Sequence, residues 1–212
     1  MSVRWSIILA VVAGVAMPGI GAAQKMEQTK SLEIADKWVD SLTLNGKNQK
    51  VEHEVTGVGN DGVTGVTRAS GKEYAFASAK PGALTQGMCY SNGQQCTFSP
   101  ALSLAEFPLE KGKKWTVAMT VKGETFLSQV ESERQVEKVE KVKVPAGEFE
   151  AFRIAHSGRI RGSDAKGSGF SGKEDGRYWV AVINDKAVIV KGEYRNSFGE
   201  KFSHELVSAA FK

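Results

Sequence analysis

The chain has 212 residues, with 28 Lys and Arg against 24 Asp and Glu and a formal net charge of +4. Hydrophobic residues at 41% and charged ones at 25% are ordinary for a folded domain, which excludes global disorder. The acidic residues are interleaved with the basic ones, so there is no basic stripe of the kind that binds nucleic acid.

Residues 1–23 read as a secretory signal. Arg4 supplies the positive start, Ile7 to Val15 form a short apolar run, and Pro18 and Gly19 break it. Gly21-Ala22-Ala23 then offers small residues for cleavage near Ala23. The apolar run is too short to span a bilayer of roughly 30 Å. No Cys follows the small residues, and a single Arg does not make a twin-arginine signal. The expectation is a periplasmic protein, soluble after cleavage, whose residues 24–212 form one β-rich domain.

Gln24 to Trp38 is the only stretch that suits a short helix. Leu32, Ile34, Ala35 and Trp38 give it a weak apolar face, and a lead-in to a strand fits it equally. Beyond it the pattern has period two. Val51, His53 and Val55 alternate with Glu52, Glu54 and Thr56, and Val117, Met119 and Val121 alternate in the same way. Asn45-Gly46, Asn60-Asp61-Gly62, Ser70-Gly71, Lys122-Gly123, Ala146-Gly147 and Gly162 punctuate these runs as hairpin breaks.

Cys89 and Cys96 bracket Asn92-Gly93, and both turn residues tolerate positive φ. A hairpin there brings the two cysteines together, and an oxidising compartment predicts a disulfide. Closing so short a loop stabilises by about 2.5 kcal/mol on the chain-entropy view. The spacing is not CxxC and no His is near, which argues against a redox or metal pair.

Glu131 to Lys143 is rich in Lys and Glu and reads as a solvated strand face, with a bend or bulge over Val136 to Val139. Ser157 to Gly176 carries six glycines among Ser, Lys, Arg and Asp and reads as a long flexible loop. Arg177 to Ile183, then Asn184-Asp185, then Ala187 to Val190 form the clearest hairpin. His204 to Phe211 suits a closing strand. An internal echo aligns Trp38 to Gly46 with Trp115 to Gly123, so that 38–66 and 115–144 form a candidate two-fold repeat.

Phe107-Pro108-Leu109 with Gly112-Lys113 and Trp115, the Val142-Lys143-Val144-Pro145-Ala146-Gly147-Glu148-Phe149 segment, and Tyr178-Trp179 carry a resemblance. Together they resemble a family of exported bacterial β-rich proteins of unknown function with FPLxxGKxW and VxVPAGxF segments. Val180, Ala181 and Val182 depart from the aromatic residue and Pro that often follow the family's Tyr-Trp pair. The resemblance implies a mainly β fold: a single curved antiparallel sheet or half-barrel, as in lipoprotein carriers, preceded here by the short N-terminal helix.

No catalytic motif stands out. The three His lack zinc spacing and HExxH, no G-x-S-x-G occurs, and the glycine cluster is not a phosphate loop. Asp61, Glu131, Glu133, Glu137 and Glu140 supply carboxyl groups, but nothing holds two of them across a cleft. The expectation is therefore no metal and no cofactor. The chain is expected to be a non-enzymatic periplasmic binding or envelope-associated module that accepts an apolar small molecule or a partner protein segment. Trp38, Trp115 and Trp179 are the candidate apolar contacts, or else core anchors. The alternatives are a hydrolase using His156 or His204, and an assembly partner offering an edge strand.

Overall fold

The computed structural model describes residues 25–27, 29–90 and 92–212. The signal and its cleavage point near Ala23 lie outside the described residues. A minor pair of strands, β1 (Lys25–Met26) and β8 (Leu109–Glu110), packs beside the main sheet. The remaining strands are β2 (Lys37–Leu44), β3 (Lys47–Gly59), β4 (Gly62–Ala69), β5 (Lys72–Lys80), β6 (Ala83–Cys89) and β7 (Gln94–Ser103). They continue as β9 (Lys114–Lys122), β10 (Phe126–Val144), β11 (Gly147–Asp164), β12 (Gly169–Ile183), β13 (Lys186–Asn196) and β14 (Lys201–Ala210).

These twelve strands close into an up-and-down antiparallel barrel. Each pairs with its neighbour in the chain, β8 excepted, and β14 closes on β2 from Phe202↔Leu44 to Ala210↔Lys37. The expected single curved sheet or half-barrel is therefore corrected to a closed barrel. Alternation shows that each strand has a core face, but the pairing of β14 with β2 joins residues far apart in the chain. A closed ring also leaves less free edge than a half-barrel would have to protect.

Turn chemistry builds the hairpins. At Asn45-Gly46, Ser70-Gly71 and Asn184-Asp185 both turn residues have positive φ, the conformation that suits a two-residue connection between twisted strands. Cys89 and Cys96 form a disulfide with Cα atoms 5.8 Å apart, and Asn92-Gly93 lies in the β6–β7 turn. The two cysteines sit diagonally, since Cys89 faces Gln94 and Cys96 faces Gly87. The expected bulge in β10 falls between Val136 and Lys138.

No helix occurs among the described residues, so the short N-terminal helix is also corrected. The segment instead runs along one rim of the barrel. Lys30 N–H donates to the Asp185 carbonyl, and Ala35 N–H donates to that of Val55. Asp36 is fully buried there. It accepts hydrogen bonds from the Glu33 and Lys212 N–H groups and stands 2.9 Å from Lys186 Nζ, itself 1% exposed. Asp36 closes a tight turn with Glu33, and Ala35 has positive φ there, which ends any helix before it can form. Burial alone would raise the Asp36 pKa, but these donors and the lysine charge leave it lowered.

The expected flexible loop over Ser157 to Gly176 is corrected to the ends of β11 and β12, joined by a short turn at 165–168. Four of its six glycines mark close approach: at Gly158, Gly162, Gly172 and Gly176, other side chains or neighbouring backbone take up the room that a Cβ would need. A Cβ on Gly172 would meet Phe198, and one on Gly176 would meet the His156 ring.

Candidate functional site: a polar belt inside the barrel

The inner face of β10 carries Ser128, Val130, Ser132, Arg134 and Val136, all buried, while Gln129, Glu131, Glu133 and Gln135 are exposed. The Lys- and Glu-rich run is thus solvated on one face only, and Arg134 is the exception to the reading of solvated charge. Cross-strand register carries the inner face around the ring. One row runs Trp115, Arg134, His156, Gly176, Tyr194 and Phe202. The next runs Val117, Ser132, Gly158 and Glu174.

Two groups of polar side chains occupy this interior. In the first, the Asp40 carboxylate lies 3.3 Å from His53 Nε2 and 3.9 Å from His204 Nδ1. His53 Nδ1 is 2.9 Å from Thr67 Oγ1, and the ring stacks on Trp38 at 4.6 Å. Burial pushes the Asp40 pKa up, but the two imidazoles beside it prevail and hold it below the usual carboxylate range. Tyr90 meets the His204 ring at 6.1 Å, and its burial raises the phenol pKa.

In the second group, Arg134 Nη1 donates to the Tyr178 hydroxyl at 2.9 Å, and that hydroxyl donates to the Leu104 carbonyl. Tyr194 donates to Glu174 at 3.2 Å, and the other Glu174 oxygen stands 4.0 Å from His156 Nδ1. Burial dominates here. It raises the Glu174 pKa and lowers that of His156 to about 4, a shift to which the nearby Arg134 charge adds. Phe202 bridges the two groups, stacking on Tyr194 at 4.7 Å and meeting Tyr90 edge-on at 5.6 Å.

All three histidines therefore face the interior, on strands that the sequence leaves unrelated. Arg134, Glu174 and Asp40 were missed by sequence reasoning. The signal that finds Arg134 and Ser132 is parity, since they fall on the same face of the strand as Val130 and Val136. Glu174 was hidden by the glycines around it.

The three tryptophans are not brought together. Trp115 packs in a cluster with Leu109, Val136 and Tyr178, and Trp179 in another with Val144, Val190 and Leu206. Trp38 is half-buried between that second cluster and Val55 and Phe76. Trp179 Nε1 donates to Glu140, and Lys191 lies over its ring at 5.4 Å. Tyr178 and Val180 feed one cluster while Trp179 and Ala181 feed the other, so this stretch of β12 is apolar at every position.

Two open grooves of about 550 and 670 Å³ lie along β9 to β12. Their exposed lining includes Glu131, Glu133, Arg159, Arg161 and Lys173, and none of the three tryptophans. Among the described residues no cluster of His, Cys, Asp and Glu is arranged to hold a metal ion.

The chain matches no protein-family model. It matches no curated protein either. Among solved structures it is similar to a candidate lipoprotein from Parabacteroides distasonis, with 14% identity and a TM-score of 0.53 over 88% of this chain and all of that one. A candidate exported protein with a YmcC-like fold from Bacteroides fragilis also aligns, at 14% identity and a TM-score of 0.46 over 87% of this chain and 99% of that one. At this identity the first likeness defines a shared fold.

Proposed function

We propose that this chain is an exported, non-enzymatic binding module of the bacterial envelope, and that it takes an extended partner segment as an added strand. The observation that carries this reading is the incomplete pairing of β9. Its inner neighbour β10 pairs along all of Lys114–Lys122, whereas β7 pairs only with Thr120, Val121 and Lys122. Among the described residues, Lys114 to Met119 thus present a backbone edge without a ladder partner, as do shorter stretches of β5 before Ala77 and of β13 before Lys191. Such an edge recruits a strand through main-chain hydrogen bonds.

Three further features support it. The tryptophans already serve as anchors of packed clusters, which favours a partner segment over an apolar small molecule. The outward residues of β10 and β11 include Glu131, Glu133, Arg159 and Arg161, the reverse of a lipid-facing barrel wall, in keeping with a soluble domain. The side chains of His156 and His204 are only 11% and 10% exposed, which disfavours the hydrolase alternative.

Photoreactive residues placed at the exposed positions Thr116 and Ala118 in cells test the proposal, with Arg177 on β12, exposed and paired on both sides, as control. A discrete envelope-protein adduct from positions 116 and 118, absent from 177, is the expected result. The same adducts from all three positions, or none from 116 and 118, would contradict it.

A further inference from the structure

We propose that the barrel interior also binds a small free carboxylate anion, held on Arg134. This site is separate from the β9 edge and does not depend on it. Arg134 is 5% exposed, and a guanidinium stays charged at any physiological pH. It donates to Tyr178 and lies 5.6 Å from the centre of that ring, yet no carboxylate of the described residues forms an ion pair with it. A buried cation without an anion is strongly disfavoured, because burial removes its water and gives no compensating charge. Glu174 is the nearest acid in the register, but its Oε2 is taken by Tyr194 and its Oε1 faces His156, so neither oxygen pairs with the guanidinium.

The polar side chains beside Arg134 in the register define the chemistry of the site. Arg134 Nε, Trp115 Nε1, Ser132 Oγ and His156 Nδ1 are all buried without a hydrogen-bond partner. Trp115, Arg134 and His156 are successive cross-strand neighbours, and Ser132 is the next inward residue on β10. Arg and Trp can only donate, and Ser can donate. The belt is therefore rich in donors and short of one negatively charged acceptor. A carboxylate supplies that charge and matches the planar edge of a guanidinium, whereas a water molecule supplies acceptor oxygen without charge.

Thermal unfolding of the whole domain at pH 7, titrated with sodium acetate and with sodium chloride at matched ionic strength, tests this site. A saturable rise in Tm with acetate alone is expected. Ser132→Ala and Trp115→Phe each remove one donor while keeping most of the packing, and each should weaken the acetate midpoint about fivefold. Arg134→Met should abolish the acetate effect if it folds, and the two milder variants decide the matter if it does not. Equal responses to acetate and chloride would overturn the proposal, as would wild-type acetate midpoints in both milder variants.

Discussion

His156 shows how a single residue ties the interior to pH. Its folded pKa of about 4 lies below the ordinary value of 6.5, because burial and the Arg134 charge disfavour the imidazolium. Above pH 6.5 the ring is neutral in both folded and unfolded chains and pH has no leverage on it. Between 6.5 and 4 the unfolded chain binds the proton first, so stability falls as pH falls, by about 3 kcal/mol at the limit. Glu174 acts with the opposite sign, since its raised pKa lets the folded state take up a proton before the unfolded one. His156→Gln removes the first effect and leaves the second. Urea unfolding at intervals from pH 7 to pH 4 should give a flatter stability profile for this variant than for the parent. Parallel profiles would show that the imidazole is not buried in its neutral form.

Among the elements, strand positions and turns were the legible part. Asn45-Gly46 and Asn184-Asp185 are read directly, because positive φ at both turn residues is a local demand met by local chemistry. The β10 bulge near Val136 was legible for the same reason, as a break in alternation. The 157–176 region was not. Glycine spacing carries two meanings, mobility or close approach, and the deciding side chains, Phe198 at Gly172 and His156 at Gly176, are placed by folding and not by adjacent sequence. Gly65 belongs to the second kind, since a Cβ there would lie 2.2 Å from the Glu54 carbonyl and 2.3 Å from the Phe76 ring. Gly59 has open space at the same position. Gly65→Ala should therefore cost about 2 kcal/mol in a denaturant titration, while Gly59→Ala stays within about 0.5 kcal/mol. Equal effects would mean that β3, β4 and β5 are less tightly apposed than this register requires.

At the scale of the whole molecule, closure is what the sequence could not reveal. Periodicity defines which face of each strand is apolar, but an open and a closed ring of the same strands share that pattern. The polar belt was hidden with it. Asp40 and His53 belong to one hairpin, β2–β3, but His204 joins them only because β14 pairs with β2. The N-terminal segment misled for a related reason, since its Asp36 is fixed by Lys186 and the Lys212 backbone, both remote in sequence.

Closure and the unpaired β9 edge together make the central claim, and amide hydrogen exchange resolved by residue tests both at once. Amides across the β14–β2 seam, between Phe202↔Leu44 and Leu206↔Asp40, should be as protected as those of the β10–β11 hairpin. Within β9, only the amides of Lys114 to Met119 directed away from β10 should exchange rapidly. Rapid exchange along both β14 and β2, with β9 protected on both sides, would describe an open half-barrel and contradict the account.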